Sequence, residues 1–133
     1  MFKRALLALI LVAGPAVAQD RPPAERAVLG DLAYALGESH ALRQACTSVN
    51  DQYWRDRMLR LTQVEASDPS FDAVIRERFN TGYAAGQAQA PECSAQSRRA
   101  EAAAAGRGQA LAQRLSVIMR KVDIPRLDPS VEP

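Results

Sequence analysis

From Leu29 to Val122 apolar residues recur at intervals of three and four, and no stretch alternates apolar with polar residues long enough to make a strand. That spacing lays an apolar stripe along a helix. The chain is therefore expected to be all-α, and the position of its helix breakers decides how many helices it has. A first helix is predicted over 24–47, with Leu29, Leu32, Leu36 and either Leu42 or Cys46 on its stripe. Gly30 and Gly37 interrupt it at about 1 kcal/mol each relative to alanine, a cost that a close helix crossing would offset or that the helix simply tolerates. Ser48 or Asn50 is placed to cap a second helix, with Trp54, Met58, Leu61 and either Val64 or Glu65 on one face and an end near Ala66. Ser67-Asp68-Pro69 is the sharpest punctuation: Asp68 can accept free backbone amides and Pro69 suits the first helical position.

The third helix, over 69–87, carries Phe71, Val74, Ile75, Phe79, Gly82 or Tyr83, and Gly86 at helical spacing. Ala90-Pro91 breaks it. A fourth, from about Ser94 to Val122, begins alanine-rich and ends on the stripe Leu111, Leu115, Ile118 and Val122, with Gly106 and Gly108 as points of bending. The expected architecture is a four-helix, up-and-down, bundle-like domain. Residues 1–18 read as a secretory leader, 19–123 as the helical domain, and 124–133, with Pro125, Pro129 and Pro133, as a flexible proline-rich tail.

The leader reading rests on order. Lys3 and Arg4 precede the apolar run 5–13, which Gly14-Pro15 cuts short of a membrane span, and Ala16-Val17-Ala18 supplies small residues for cleavage. The expected location is periplasmic or secreted, with no stable membrane insertion after cleavage. Cleavage takes two of the 17 basic residues and none of the 15 acidic ones, leaving a formally neutral chain. A nucleic-acid partner, which wants a basic surface, is not expected.

Cys46 and Cys93 are the two cysteines, and an oxidising compartment makes a disulfide their default state. In an up-and-down order the end of the first helix and the end of the third share a pole, which brings the pair together. Redox catalysis would want Cys-x-x-Cys, and a structural zinc wants four ligands where two cysteines and His40 supply three. No cofactor and no metal is expected. Haem between His40 and Met58 or Met119 is the weaker reading of residues that read better as core. His40 as a general base lacks a sequence context for a nucleophile, reads as a surface or helix-end residue, and leaves no catalytic residues to assign.

Two clusters are candidates for binding or packing. Tyr53-Trp54-Arg55-Asp56-Arg57-Met58 holds the one tryptophan and residue types that dominate interfaces, although Trp54 also fits a core anchor. Phe79-Asn80-Thr81-Gly82-Tyr83 places an amide and a glycine inside a helix, and there Gly82 can admit a second backbone. The charges at Arg76, Glu77, Arg78, Arg98, Arg99 and Glu101 read as solvated surface.

The order Leu42-Arg43-x-x-Cys46, Trp54-Arg55-x-x-Met58, Phe79-Asn80-x-Gly82-Tyr83 and Cys93 resembles a family of small uncharacterised alphaproteobacterial exported proteins with a signal peptide and two well-separated cysteines. The resemblance spans roughly 29–115 and implies export and the disulfide, but no activity. The leading expectation is a protein-interaction or envelope-accessory role without catalysis, in which Arg55, Arg57 or Tyr83 meets an envelope protein. The alternative is a small-ligand carrier or sensor binding between helices near Trp54, Asn80 and Tyr83. An enzyme acting through His40 or a carboxylate comes third.

Overall fold

Pro22 and Pro23 set the entry to α1 (Pro23–Cys46), with proline in the first turn where its missing N–H costs nothing. A computed structural model describes residues 21–123, with side-chain surroundings up to residue 118. The expected leader and tail lie outside the described residues. Three further helices follow: α2 (Tyr53–Glu65), α3 (Pro69–Gln89) and α4 (Ala95–Asp123). Four helices in a bundle-like arrangement, stapled by a Cys46–Cys93 disulfide with Cα atoms 4.6 Å apart, match the expected fold class.

The caps follow local chemistry. Asp68 accepts the Phe71 amide at the start of α3, as its position before Pro69 predicted. Ser94 and Ser97 exchange bonds at the start of α4, each hydroxyl accepting the other's amide, a capping box built from two serines. The expected caps of α2 are corrected. Ser48 accepts the Asn50 amide inside the turn, and Asp51 takes the first free amide of α2, that of Tyr53. A carboxylate one residue before the helix boundary reaches what a hydroxyl four residues back cannot. Ala66, in the left-handed region at φ 42°, ends α2.

α1 is the axis of the molecule. From Val28 to Leu42 every residue except Asp31 and Tyr34 is buried, because α3 and α4 both lie along it while α2 covers a third sector and touches α3 only marginally. Leu29, Leu42 and Ile75 are fully enclosed, and Leu32, Leu36, Met58, Phe71, Phe79 and Leu115 complete the core with Trp54, Leu61 and Leu111 at its edge. Each such large side chain contributes about 1.5–3 kcal/mol by leaving water.

α1 and α3 meet backbone to backbone. A Cβ at Gly37 would fall 1.9 Å from the Phe79 carbonyl oxygen, and one at Gly82 would fall 2.0 Å from that of Tyr34. Each helix thus presents a glycine to a carbonyl of the other. Gly86 adds a third close approach at Glu38 and Ala41, whereas Gly30 faces only the flexible Arg78 side chain. α4 runs unbroken through Gly106 and Gly108.

One stripe assignment changes: Val74 is 47% exposed. Of the two alternatives left open on α2, Val64 is 79% exposed and Glu65 takes the inward place, where Arg21 pairs with it. α2 is one thin layer over α1, and its inward face is too narrow to include position 64.

Candidate functional site

Arg43, near the end of α1, pairs with Asp51 at 2.9 Å, lies 3.9 Å from Glu101 of α4 and sits over the Tyr53 ring at 4.6 Å. Arg57 covers the same ring at 3.6 Å from α2 and bonds the Tyr53 hydroxyl. Tyr53 meets Trp54 edge to face, and the Trp54 indole N–H donates to Glu101 at 3.2 Å. α1, α2 and α4 are therefore tied at one pole by stacked guanidinium and aromatic groups, beside the disulfide, where the Cys46 Sγ lies 3.4 Å from the buried Ser97 hydroxyl. The Asp51 carboxyl is held below the ordinary carboxylate range, first by the Tyr53 amide and then by Arg43.

Beyond this cluster the outer side of α2 is exposed. Arg57, Arg60 and Val64 follow Tyr53 at intervals of four, three and four; Tyr53 and Arg57 belong to the stack with Arg43 of α1, whereas Arg60 and Val64 are exposed, with Arg55 and Leu59 exposed beside them. Arg55 and Arg60 make no hydrogen bond or ion pair among the described residues. Of the two acids on α2, Asp56 is exposed and Glu65 is turned inward to Arg21. The face is apolar and cationic, the combination that recognises a carboxylate-bearing surface.

His40 departs most from expectation. It is 4% exposed and buried, with its ring centroid 5.8 Å from Phe79 and 5.4 Å from Tyr83 and its Nδ1 without a hydrogen-bond partner among the described residues. Burial pushes its pKa down, countered by Asp51 and Asp56 and reinforced by Arg55. The surface reading failed because Glu38-Ser39-His40 looks polar in sequence, while α1 is enclosed on all but one narrow side. Glu38 is buried with Arg107 of α4 on its carboxylate, and Ser39 bonds the Ala35 carbonyl. No described hydrogen bond joins His40 to a serine, threonine or cysteine, so the geometry presents no base-activated nucleophile there.

The residues expected near a ligand are not drawn together. Asn80 is exposed, Trp54 is turned to α4, and Tyr83 donates to Gln44 at 2.7 Å. A groove of about 270 Å³ opens instead along the narrow uncovered side of α1, lined by Asp31, Tyr34, Ala35, Arg78, Arg107 and Leu111. Arg78 crosses it to Asp31 and the Gly30 carbonyl, and Arg107 crosses to Glu38, so both guanidinium groups strap neighbouring helices to α1. Arg78 and Glu101 were expected as solvated surface; long side chains reach across helices in ways that position along one helix does not reveal.

Met58 packs in the core, and the Met119 side chain lies outside the described surroundings. Among the described residues no group of three or more His, Cys, Asp or Glu is placed to hold a metal ion, and no helix is long and apolar enough to cross a membrane.

A family model described as a protein of unknown function, DUF2385, matches residues 23–118, from the start of α1 to the last described core turn of α4. The chain belongs to the DUF2385 family. No curated protein and no solved structure matches it. In this DUF2385 protein several motif residues that carry the resemblance fall where helices meet, Arg43 and Trp54 on Glu101, Met58 in the core, and Phe79, Gly82 and Tyr83 at the crossing with α1, whereas Arg55 and Asn80 are exposed.

Proposed function

We propose that this DUF2385 protein is an exported, non-catalytic interaction protein that uses the outer face of α2 to bind an acidic envelope protein. The carrying observation is that face itself: Arg55 and Arg60 stand exposed without an ion-pair partner among the described residues, beside the exposed Tyr53 and Leu59. Export is supported by the basic, apolar and small-residue order of 1–18 and by the disulfide, a bond that persists outside the reducing cytoplasm. Arginine and tyrosine anchors supply most of the energy in such interfaces, and opposite charge speeds the encounter.

The test is affinity capture from envelope extracts with wild type, the double variant R55E/R60E, and R98E/R99E as a charge-matched control on α4. A specific partner retained by wild type and by the control, lost in R55E/R60E, and bound more weakly in high salt is the expected result. Equal recovery by all three proteins would refute the assignment to α2. The small-ligand alternative near Trp54, Asn80 and Tyr83 draws less support, since Asn80 faces solvent and the other two side chains are engaged with Glu101 and Gln44.

A further inference from the structure

The axial helix has one window. Between Val28 and Leu42 every residue of α1 except Asp31 and Tyr34 is buried, and the gap persists because α3 and α4 each pack along α1 while hardly touching one another among the described residues. That gap is the groove of about 270 Å³, in which Tyr34, Ala35 and Leu111 supply apolar surface and Asp31, Arg78 and Arg107 the charges. A concave, mostly apolar site with a few fixed polar groups between the helices of a bundle is the common form of a small-molecule site, and this volume lies just under its ordinary range. A ligand here is small.

Both arginines are held, and neither is used up. A guanidinium carries five N–H donors. Arg78 gives two nitrogens, to the Gly30 carbonyl and to Asp31, and lies 5.1 Å from the centre of the Tyr34 ring, while Arg107 gives one, to Glu38. Their other N–H groups and the Tyr34 hydroxyl have no hydrogen-bond partner among the described residues. The two ion pairs also differ in what they present to solvent. Asp31 and Arg78 are both open, so the Asp31 end of the groove is balanced. The Glu38 side chain is 12% exposed and the Arg107 side chain on it 56%, so the other end, about 10 Å further along α1, shows a cation whose counter-charge is hidden.

We propose that this groove binds a small organic monocarboxylate with an apolar body, its carboxylate on the Arg107 guanidinium and its body against Leu111, Ala35 and the Tyr34 ring. Arg107 and Leu111 are four residues apart and share a face of α4, which suits a charged head joined directly to a short apolar tail. A guanidinium matches a carboxylate with parallel N–H bonds, and the bond to Glu38 holds this one in place before the ligand arrives. A second carboxylate at the far end of the ligand would meet Asp31, which selects one negative charge over two. None of the lining residues belongs to α2, so the site stands apart from the interface proposed there.

The purified, isotope-labelled protein is titrated with hexanoate and followed by amide NMR, with acetate, hexylammonium and adipate as comparison probes. Hexanoate should give saturable shifts centred on Tyr34, Ala35, Arg78, Arg107 and Leu111. Acetate, which lacks the body, hexylammonium, which reverses the charge, and adipate, which adds a second carboxylate, should each bind at least about tenfold more weakly. E38Q/R107Q removes the acid together with its base, so no buried charge is left alone, and should lose about tenfold in hexanoate affinity while R98Q/R99Q keeps it. If that variant does not fold, R107K, which keeps a charge on Glu38 without the planar fork, should weaken hexanoate in the same direction. The ranking of probes on the wild-type protein requires neither variant. Hexylammonium binding as tightly as hexanoate, shifts that gather on another surface or never saturate, or full hexanoate affinity in the folded variant overturns the proposal.

Discussion

Glycines that look alike in the sequence have opposite roles here. Gly37 and Gly82 stand against carbonyl oxygens at distances no Cβ can occupy, so Gly37→Ala or Gly82→Ala must push α1 and α3 apart. Overpacking of this kind costs about 1–3 kcal/mol and outweighs the gain of about 1 kcal/mol that alanine brings to a helix. Gly106 has nothing within 4 Å, so Gly106→Ala collects that helix gain alone. Urea titrations of the three variants should show two losses and one increase. Asp68 caps the Phe71 amide and also meets Arg26 and the Ser70 hydroxyl, and Asp68→Ala should cost about 1 kcal/mol for the lost cap.

Among the helices, α2 is held by side chains at its edges rather than by a broad buried face. Trp54 to Glu101, Arg21 to Glu65 and the Arg43–Tyr53–Arg57 stack fasten its two ends, with Met58 alone fully buried between them. Met58→Ala should therefore cost about 2–5 kcal/mol and act chiefly on α2, which amide exchange would report as faster opening of that helix alone. The disulfide works on a different pair. Cys46 and Cys93 are 47 positions apart, so replacing both with serine frees a long loop in the unfolded chain. The expected loss is about 4 kcal/mol in chain-entropy terms, read as a lower denaturation midpoint in C46S/C93S.

Across the whole molecule two acidic windows are separable. His40 has a lowered pKa in the fold, so as pH falls past about 6.5 the unfolded chain takes up the proton first and stability declines from there. Asp51 and Asp68 are also lowered, Asp51 chiefly by the Tyr53 amide and Asp68 chiefly by the Ser70 hydroxyl. Their contribution is fully present above the ordinary aspartate value, about 3.9, and is lost as pH falls through their folded values. Stability against pH should step twice, and H40F should remove only the upper step.

Helix number, the Asp68-Pro69 start, the principal stripes and the cysteine pairing were legible because they depend on near neighbours: caps reach three residues, apolar stripes repeat every three or four, and the pole shared by Cys46 and Cys93 follows from helix order. Gly37 and Gly82 could be suspected of a close crossing, but not assigned to each other's helix. Tertiary structure alone decided that α1 is enclosed, which turned Glu38, Ser39 and His40 from an apparent surface into a buried polar stretch. It also decided that Trp54 and Tyr83 face different partners and that Arg43, Arg78, Arg107 and Glu101 join helices. A side chain's burial depends on how many neighbours surround its helix, and its charge partner depends on which residues lie across the gap; neither is written in the spacing along one strand of sequence.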